Sequence, residues 1–233
     1  AYSPADVVTA LFRRANEAQM ELGCDENKLR VTPNGVHIER FADVPDKPED
    51  GWTDIGAIVR IARIKDIKTM IYAFAEVKRE IGNVRLHIMG DIDDGEYYEA
   101  CRTLIEQLGV QDIIFTGSVD VAEYIKKLDF IILTSISEGQ PLSVLEAFAA
   151  GRACVTTDVG CCRELIEGND GLGEAGICVP PMNKEQVAQA MLELCREPFT
   201  RKRMGAVGRE RVRKYYTHDI SMENYKRLYQ EVV

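Results

Sequence analysis

The chain has 233 residues, of which 45% are hydrophobic and 29% are charged, and its formal net charge is −9. This length suffices to bury the core of one large domain or of two small ones. The acidic balance disfavours general binding of nucleic acids, which normally requires a basic surface, but it leaves room for a small anion held by local cations. No apolar run approaches the roughly 20 residues of a membrane span, and residues 1–14 lack the layout of a secretory signal.

The first 50 residues differ from the rest of the chain in their pattern. Residues 3–23 carry apolar side chains at helical spacing and end at Gly23, which predicts one amphipathic helix. Residues 29–41 predict a strand, a Pro-Asn-Gly turn and an extended piece, and residues 43–51 have the composition of a linker. We therefore expect residues 1–50 to form an N-terminal helix, a strand and an inter-domain linker.

Strand and helix patterns alternate between residues 54 and 197. The strands are continuous apolar runs, which is typical of a parallel sheet covered on both faces. Right-handed crossovers then predict an α/β fold, a doubly wound Rossmann-like parallel sheet with helices on both faces, over residues 51–199. The predicted strands cover residues 54–62, 84–90, 112–117, 129–135, 153–158 and 175–180, and the predicted helices cover 67–82, 96–109, 121–128, 161–168 and 184–197, with one more helix after residue 138.

Two more helices, at 200–217 and 218–232, predict a C-terminal closing segment of residues 200–233. Sheets of the predicted kind bind ligands beyond the carboxyl ends of their strands. This rule directs attention to the loops that follow residues 62, 90, 117, 135 and 158.

The cysteines indicate free thiols. There are seven, an odd number, and no two of them form a C-x-x-C pair, which fits a reducing cytoplasm. Adjacent Cys161 and Cys162 leave a redox or metal pair open, although two small residues at a junction between loop and helix are the favoured interpretation. The three histidines are scattered, so we expect no metal and no bound cofactor.

The stretch SEGQPLSVLEAFAAG, residues 137–151, has the features of an anion site. Pro141 suits the first turn of a helix, and the amides of Leu142 and Ser143 would then point outward from its positive end. Gly139 would permit close approach of a ligand. At ~1.5 Å per residue, Glu146 lies about 7–8 Å further along the axis than Pro141, which is close to the distance between a phosphate and the ribose of one nucleotide.

Plainer interpretations of this stretch remain open. Most helices that begin with proline bind nothing, and Glu146 could be a solvated surface residue. Its place after the predicted strand 129–135 favours a ligand, because such sheets bind ligands there.

Arg60 and Lys65 flank the loop after the first predicted strand of the sheet. They are either solvated charges or a phosphate clamp in which arginine supplies a planar fork and lysine a point charge. Arg60 ends an apolar strand, and this favours a guanidinium that reaches into the crevice. No G-x-G-x-x-G follows that strand, which argues against a dinucleotide enzyme.

Four motifs in order resemble those of the retaining GT-B glycosyltransferases. Glu138 and Glu146, with seven residues between them, resemble the glutamate motif of that family, and VTPNGV at 31–36 is similar to its Pro-Asn-Gly turn. The pair Arg60 and Lys65 is similar to its arginine and lysine pair. Residues 137–168 resemble the Pel exopolysaccharide glycosyltransferases in particular. The chain departs from that pattern at Ala153 in this stretch and at Arg63 in the loop between Arg60 and Lys65, two positions where proline is common.

The resemblance implies a role for each matching position. Arg60 and Lys65 would hold the diphosphate of a UDP-sugar, most plausibly UDP-glucose, and Glu138 would accept from hydroxyls of the transferred sugar. These three would be the catalytic residues, and no metal would be needed. The remaining implied donor contacts are the loop residue Gly139, the amides of Gln140, Leu142 and Ser143, the ribose ligand Glu146, and the backbone near the base at Thr116, Gly117, Ser118 and Val119.

The same resemblance implies that this chain is the donor-binding half of a hexosyltransferase of exopolysaccharide synthesis. The acceptor half would precede residue 1, so the chain alone would bind its donor but lack full activity. A UDP-sugar 2-epimerase shares the two-part layout but does not need the two glutamates. The alternative is a non-catalytic Rossmann-like module, for which the apolar stripes in 3–23 and 222–229 predict self-association.

Overall fold

A computed structural model describes residues 2–42 and 44–232. Residues 1, 43 and 233 lie outside it, and with them one end of the predicted N-terminal segment, the first residue of the predicted linker and the last residue of the closing segment. The division into segments 1–50, 51–199 and 200–233 stays a prediction.

The centre of the fold is a sheet of six parallel strands in the order β5-β4-β3-β6-β7-β8. The chain builds outward from β3 to β5, crosses back and builds outward again from β6 to β8, so the order reverses between β3 and β6. The predicted doubly wound sheet is confirmed. Its strands are β3 (Thr53–Ile58), β4 (Val84–Met89), β5 (Ile113–Gly117), β6 (Phe130–Leu133), β7 (Ala153–Thr157) and β8 (Gly176–Val179), and β1 (Val8–Ala10) and β2 (Leu29–Val31) form a separate pair.

Helices connect and flank these strands. The second helix packs against the third and the seventh, and the fifth packs against the eighth. The helices are α1 (Arg13–Glu21), α2 (Ile67–Glu80), α3 (Gly95–Leu108), α4 (Val121–Tyr124), α5 (Leu142–Ala149), α6 (Cys162–Glu167), α7 (Lys184–Arg196), α8 (Pro198–Tyr215) and α9 (His218–Val232).

The strands form the middle of the core, as their apolar sequences predict, and the inner faces of the helices complete it. All four residues of β6 are buried, and so are all five of β7. Helix α3 ends as predicted, because Gly109 adopts the left-handed conformation with φ of 60° that closes the last turn.

The predicted single helix over residues 3–23 is wrong in its first half. Residues 8–10 form β1, which pairs in parallel with β2, and the helix begins only at Arg13. The β-branched residues Val8 and Thr9 favour a strand once a partner strand is available. The extended piece predicted up to residue 41 is also wrong, since residues 38–41 form a 3-10 turn.

A smaller difference concerns the predicted helix over residues 121–128. It divides into the short helix α4 and a 3-10 turn over residues 125–127. The other predicted elements are confirmed, with ends that differ by a few residues.

All seven cysteines are free thiols, and Cys161 and Cys162 are both buried. Burial raises the pKa of Cys161 to about 12, and it also raises the pKa of Cys162. A reactive thiolate or metal ligand requires the opposite shift, so the structure favours the interpretation of this pair as small buried residues.

None of the described helices is both long and apolar enough to cross a membrane.

Arg211 joins α8 to the α6 region through a buried ion pair. Its side chain is 1% exposed and forms two hydrogen bonds with Asp170, from Nε at 2.8 Å and from Nη2 at 3.0 Å. It also donates to the carbonyls of Leu165, Ile166 and Gly173. The guanidinium lowers the pKa of Asp170 from 3.8 to about 2.

Replacement of Arg211 by methionine should lower the free energy of unfolding by about 3–5 kcal/mol, because it leaves a buried carboxylate without its partner. Urea unfolding at pH 7 measures this. Arg213→Met is the matched control, since Arg213 is exposed on the same helix and should change stability by less than about 0.5 kcal/mol.

The pH dependence gives a second measurement on the same variant. The depressed pKa of Asp170 means that its contribution is complete above 3.8 and is lost as the pH falls towards 2. The wild type should therefore lose more stability than Arg211→Met over this range. Equal losses would contradict the assignment.

Candidate active site

A cavity of about 530 Å³ opens at the carboxyl edge of the sheet, where the strand order reverses. The loops after β3, β4, β5 and β6 supply its walls, as expected for the crevice of a doubly wound sheet. Its lining is Ile58, Val59, Arg60, Lys65, Met89, Gly90, Asp91, Ser118, Val119, Val121, Glu138, Gln140, Pro141, Leu142, Ser143 and Glu146.

This one cavity brings together most of the residues that the sequence singled out. Gly139, Thr116 and Gly117 are not part of its lining. Thr116 belongs to β5, and its hydroxyl donates to the carbonyl of Gly117 at 2.8 Å. Of the four residues predicted to lie near the base, only Ser118 and Val119 line the cavity, and the position of the base stays a prediction. The other residues that do line the cavity are Arg60, Lys65, Glu138, Gln140, Leu142, Ser143 and Glu146.

Two glycines allow the loops of the cavity to come this close together. A Cβ atom at Gly90, where φ is +148°, would lie 2.2 Å from the carbonyl oxygen of Val59. A Cβ atom at Gly160 would lie 2.2 Å from the carbonyl oxygen of Gly139 and 2.4 Å from that of Glu138. The backbone around Glu138 is therefore fixed against the turn that precedes α6.

Gly139 itself is not required by packing. A Cβ atom there would meet only the side chain of Leu11, at an ordinary contact distance of 3.7 Å. The protein alone thus leaves room for a side chain at position 139, and the predicted approach of a ligand stays a prediction.

Lys65 and Glu138 form a largely buried ion pair in the cavity. The ammonium lies 2.6 Å from Oε1 of Glu138, and the two side chains are 18% and 11% exposed. The hydroxyl of Ser135 donates to the same oxygen at 2.6 Å. The hydroxyl of Thr134 donates to the carbonyls of Lys65 and Asp66 and so fixes the backbone of the loop that carries Lys65.

Arg60 reaches out of the strand edge, as its position predicted. Its side chain is 63% exposed and lies 2.5 Å from a carboxylate oxygen of Asp93. The sequence analysis missed Asp93. The available signal was the acidic loop GDIDDG at 90–95, which follows the neighbouring strand and so emerges at the same edge.

Helix α5 presents open amides to the cavity. Pro141 is the N-cap, with ψ of 113°, so the prediction that it lies in the first turn is wrong by one residue. Its carbonyl accepts from the amide of Val144 at 3.2 Å. In the described part of the chain, the amides of Leu142 and Ser143 donate to no protein acceptor and no side chain caps the helix. Such a helix start favours an anion.

Glu146 is half-buried on α5 and lines the cavity. Burial raises the pKa of this carboxyl, and the charge of Arg40 opposes the shift. The plainer interpretation of Glu146 as a fully solvated residue is therefore wrong.

The side chain of Gln140 has a structural role that the sequence did not indicate. It is 7% exposed, and its Oε1 accepts from the amide of Asn34 at 2.6 Å. Gly35, which follows Asn34, packs against the backbone of Thr217 so closely that a Cβ atom would lie 2.2 Å from its carbonyl oxygen. The Pro-Asn-Gly turn therefore connects the loop of Glu138 to the junction of α8 and α9.

Around these residues, no three His, Cys, Asp or Glu side chains of the described chain gather as they would around a metal ion. The expectation that the site needs no metal stays a prediction.

The fold matches part of the structures of GT-B glycosyltransferases. HepE of Anabaena, solved in complex with UDP and glucose, superimposes with a TM-score of 0.80 over 96% of this chain and 63% of its own, at 18% identity. Sucrose-phosphate synthase of Thermosynechococcus elongatus superimposes with a TM-score of 0.83 over 98% of this chain and 58% of its own, at 22% identity.

The family model described as glycosyl transferases group 1 matches residues 53–197, and the chain belongs to this family. Alpha-monoglucosyldiacylglycerol synthase of Streptococcus pneumoniae is 28% identical over 85% of this chain and 49% of its own length. N-acetyl-alpha-D-glucosaminyl L-malate synthase of Bacillus anthracis is 27% identical over 98% of this chain and 60% of its own length. The chain thus spans about half the length of these relatives.

Replacement of Glu146 by glutamine should stabilise the protein without ligand at pH 7 by about 1 kcal/mol, the usual size of a stabilising substitution. The reason is the raised pKa: an ionised, half-buried carboxylate destabilises the fold, and this cost disappears as the pH falls below the ordinary value of 4.5. Urea unfolding at pH 7 and pH 4 measures both effects.

Glu193→Gln is the matched control, because Glu193 is an exposed carboxylate on helix α7. It should leave the free energy of unfolding nearly unchanged at both pH values. A loss of stability in Glu146→Gln at pH 7 would contradict the inferred cost of its burial.

Proposed function

We propose that the cavity binds the donor of a retaining glycosyl transfer, a UDP-sugar and most plausibly UDP-glucose. The observation that carries the proposal is the convergence of two cations, an open helix start and two glutamates on one cavity. The sugar-transferring relatives support the reaction class, and the complex of HepE with UDP-glucose, at 17% identity, supports the kind of ligand.

The diphosphate would lie between Arg60, Lys65 and the first amides of α5. Both cations are paired with carboxylates, Arg60 with Asp93 and Lys65 with Glu138. A phosphate would replace or share these partners, so no isolated charge would be buried when the ligand is absent. Arginine offers a planar fork to phosphate oxygens and lysine a point charge.

Glu138 would accept hydrogen bonds from the transferred sugar. Lys65 and Ser135 both contact its Oε1. In the described residues, no protein group donates to its Oε2, which leaves this oxygen for a sugar hydroxyl. The two contacts to Oε1 also fix the orientation of the carboxylate.

Glu146 would bind the ribose. A carboxylate can accept from two adjacent hydroxyls at once, and its partial burial in the cavity strengthens such bonds. The base would lie against the backbone at Ser118 and Val119, which line the same cavity.

During transfer, negative charge would develop on the leaving diphosphate. Arg60, Lys65 and the amides of Leu142 and Ser143 would stabilise it as preorganised groups, and loss of one cation should cost on the order of 2–4 kcal/mol of transition-state stabilisation. Acceptor contacts would come from a second unit, since this chain spans about half the length of its relatives. A place in exopolysaccharide synthesis rests on the resemblance of residues 137–168 alone.

A partner-binding role is the second candidate. Leu22 is 73% exposed and Tyr229 is 68% exposed, and both belong to the apolar stripes from which self-association was predicted. Sedimentation of the chain as a monomer at all concentrations would count against this candidate. It does not compete with donor binding, because neither residue lines the cavity.

Calorimetric titration with UDP, UDP-glucose and NAD tests the proposal. We expect micromolar to millimolar binding of the two uridine compounds and none of NAD. Lys65→Ala should weaken UDP binding at least tenfold, which corresponds to about 1.4 kcal/mol, and Glu146→Ala should weaken it through the loss of the ribose contact.

Arg63→Ala is the matched control for Lys65→Ala. Arg63 carries the same charge in the same loop, but its guanidinium pairs with Asp94 and Glu96 and it does not line the cavity. Its replacement should change UDP affinity by less than about threefold, as for an exposed pair. Equal losses in the two variants would mean that only general charge matters and would overturn the proposed clamp.

A further inference from the structure

A second pocket, of about 130 Å³, lies at the opposite edge of the sheet. The segment before β3 contributes Lys47, the loop before β6 contributes Asp129, and Arg152 directly precedes β7. Helix α8 forms another wall. All three strands thus meet the pocket at their amino ends, whereas the first cavity lies at the carboxyl edge of the sheet.

The pocket carries an excess of positive charge in an acidic protein. Five cationic side chains and two carboxylates line it, which leaves a local excess of three positive charges, whereas the whole chain has a net charge of −9. The two carboxylates are Asp46 and Asp129. Asp46 lies 3.0 Å from Lys202, and Asp129 lies 2.9 Å from Arg201.

Arg152 and Arg209 are the cations of the pocket that do not form an ion pair with either carboxylate. Among the described residues, neither has a carboxylate oxygen within 4.0 Å. Arg152 is 6% exposed and donates to the carbonyl of Pro45 at 2.8 Å. Arg209 donates to the carbonyl of Ala150 at 2.8 Å, and its buried Nε has no hydrogen-bond partner.

Burial disfavours the charged form of both guanidiniums. Burial lowers the pKa of Arg152, and the charges of Arg209 and Arg201 lower it further, against the opposing effect of Asp129 and Asp46. Burial likewise lowers the pKa of Arg209. Arginine stays charged at neutral pH, so the balance is restored most directly by an anion in the pocket.

We propose that this pocket is a binding site for a single phosphate group, held by Arg152 and Arg209 and supported by Lys202. The guanidinium fork matches the geometry of phosphate oxygens. The volume of the pocket suits one small oxyanion and not a nucleotide, for which the first cavity is four times larger.

The two sites are separate and lie at the two ends of one helix. The first residues of α5 line the larger cavity, and Ala150, its C-cap, accepts the hydrogen bond from Arg209. Eight helical residues span about 12 Å. A phosphate at the second site can therefore be bound at the same time as a ligand at the first.

Phosphorus NMR of inorganic phosphate, titrated with the chain, tests the site. The titration uses Lys65→Ala as the parent, so that the first cavity contributes as little as possible. Addition of Arg209→Gln should weaken phosphate binding at least tenfold. Arg203→Gln, an exposed cation on the same helix, is the matched control and should change the affinity less than twofold.

A variant that binds phosphate more tightly must be folded, so its result cannot be attributed to unfolding. Asp46→Asn removes a lining carboxylate whose side chain is 70% exposed and releases Lys202, so phosphate should bind about threefold tighter. Asp219→Asn, at a side chain that is 95% exposed and distant in sequence, should leave the affinity unchanged. Unaltered affinity in Asp46→Asn would overturn the proposal.

Vesicles distinguish the two sources of a phosphate group. Co-sedimentation compares phosphatidylcholine vesicles with and without phosphatidic acid, whose headgroup is a phosphate monoester. Binding of inorganic phosphate that requires Arg209 supports a soluble ligand, and binding only to phosphatidic acid vesicles that requires Arg209 supports a lipid headgroup. If Arg209→Gln changes neither the binding of inorganic phosphate nor the binding to phosphatidic acid vesicles, the proposal is overturned.

Discussion

The structure depends on one constraint, the common direction of the six strands of the central sheet. Because all of them are parallel, the loops after β3, β4, β5 and β6 emerge at one edge. Chain segments far apart in sequence must then share a small space. Gly90 and Gly160 make this possible, since a side chain at either position would collide with a neighbouring backbone.

The two cations at this edge are paired before any ligand arrives. Lys65 has Glu138 and Arg60 has Asp93. A cation as buried as Lys65 would cost several kcal/mol without a partner, so its pairing with Glu138 allows the ammonium to lie in the cavity of the folded chain. In the proposed function, binding then exchanges one set of ion-pair partners for another. The pairs would also compete with such a ligand, which would limit its affinity and favour its release.

Much of the fold could be predicted because its signals are local. Each strand of the sheet is an apolar run, each main helix has a 3.6-residue pattern, and Gly109 marks a helix end as expected. Residues 8–10 were mispredicted because a strand depends on its partner: the sequence of β1 alone does not reveal that β2 lies beside it. A helical spacing of apolar residues was then the only pattern available.

The candidate site likewise contains residues that the sequence could predict and residues that it could not. Arg60, Lys65, Glu138 and Glu146 could be chosen from motifs and from their positions after strands. The partner of Gln140 could not, since Asn34 lies 106 positions away in the sequence and meets it only in the folded chain. Arg152 and Arg209 were missed for another reason. What distinguishes them is the absence of a nearby carboxylate among the described residues, and a sequence does not show which charges stay unpaired.

The buried thiols have a practical consequence for chemical labelling. Cys154 is completely buried in β7, and Cys24 is 6% exposed in the segment between α1 and β2. A maleimide reaches such a sulphur only when the surrounding structure opens, so its rate of modification reports the free energy of that opening. Mass spectrometry of the unaltered protein can therefore compare the free energy of opening around Cys154 in the central sheet with that around Cys24, and no cysteine has to be introduced.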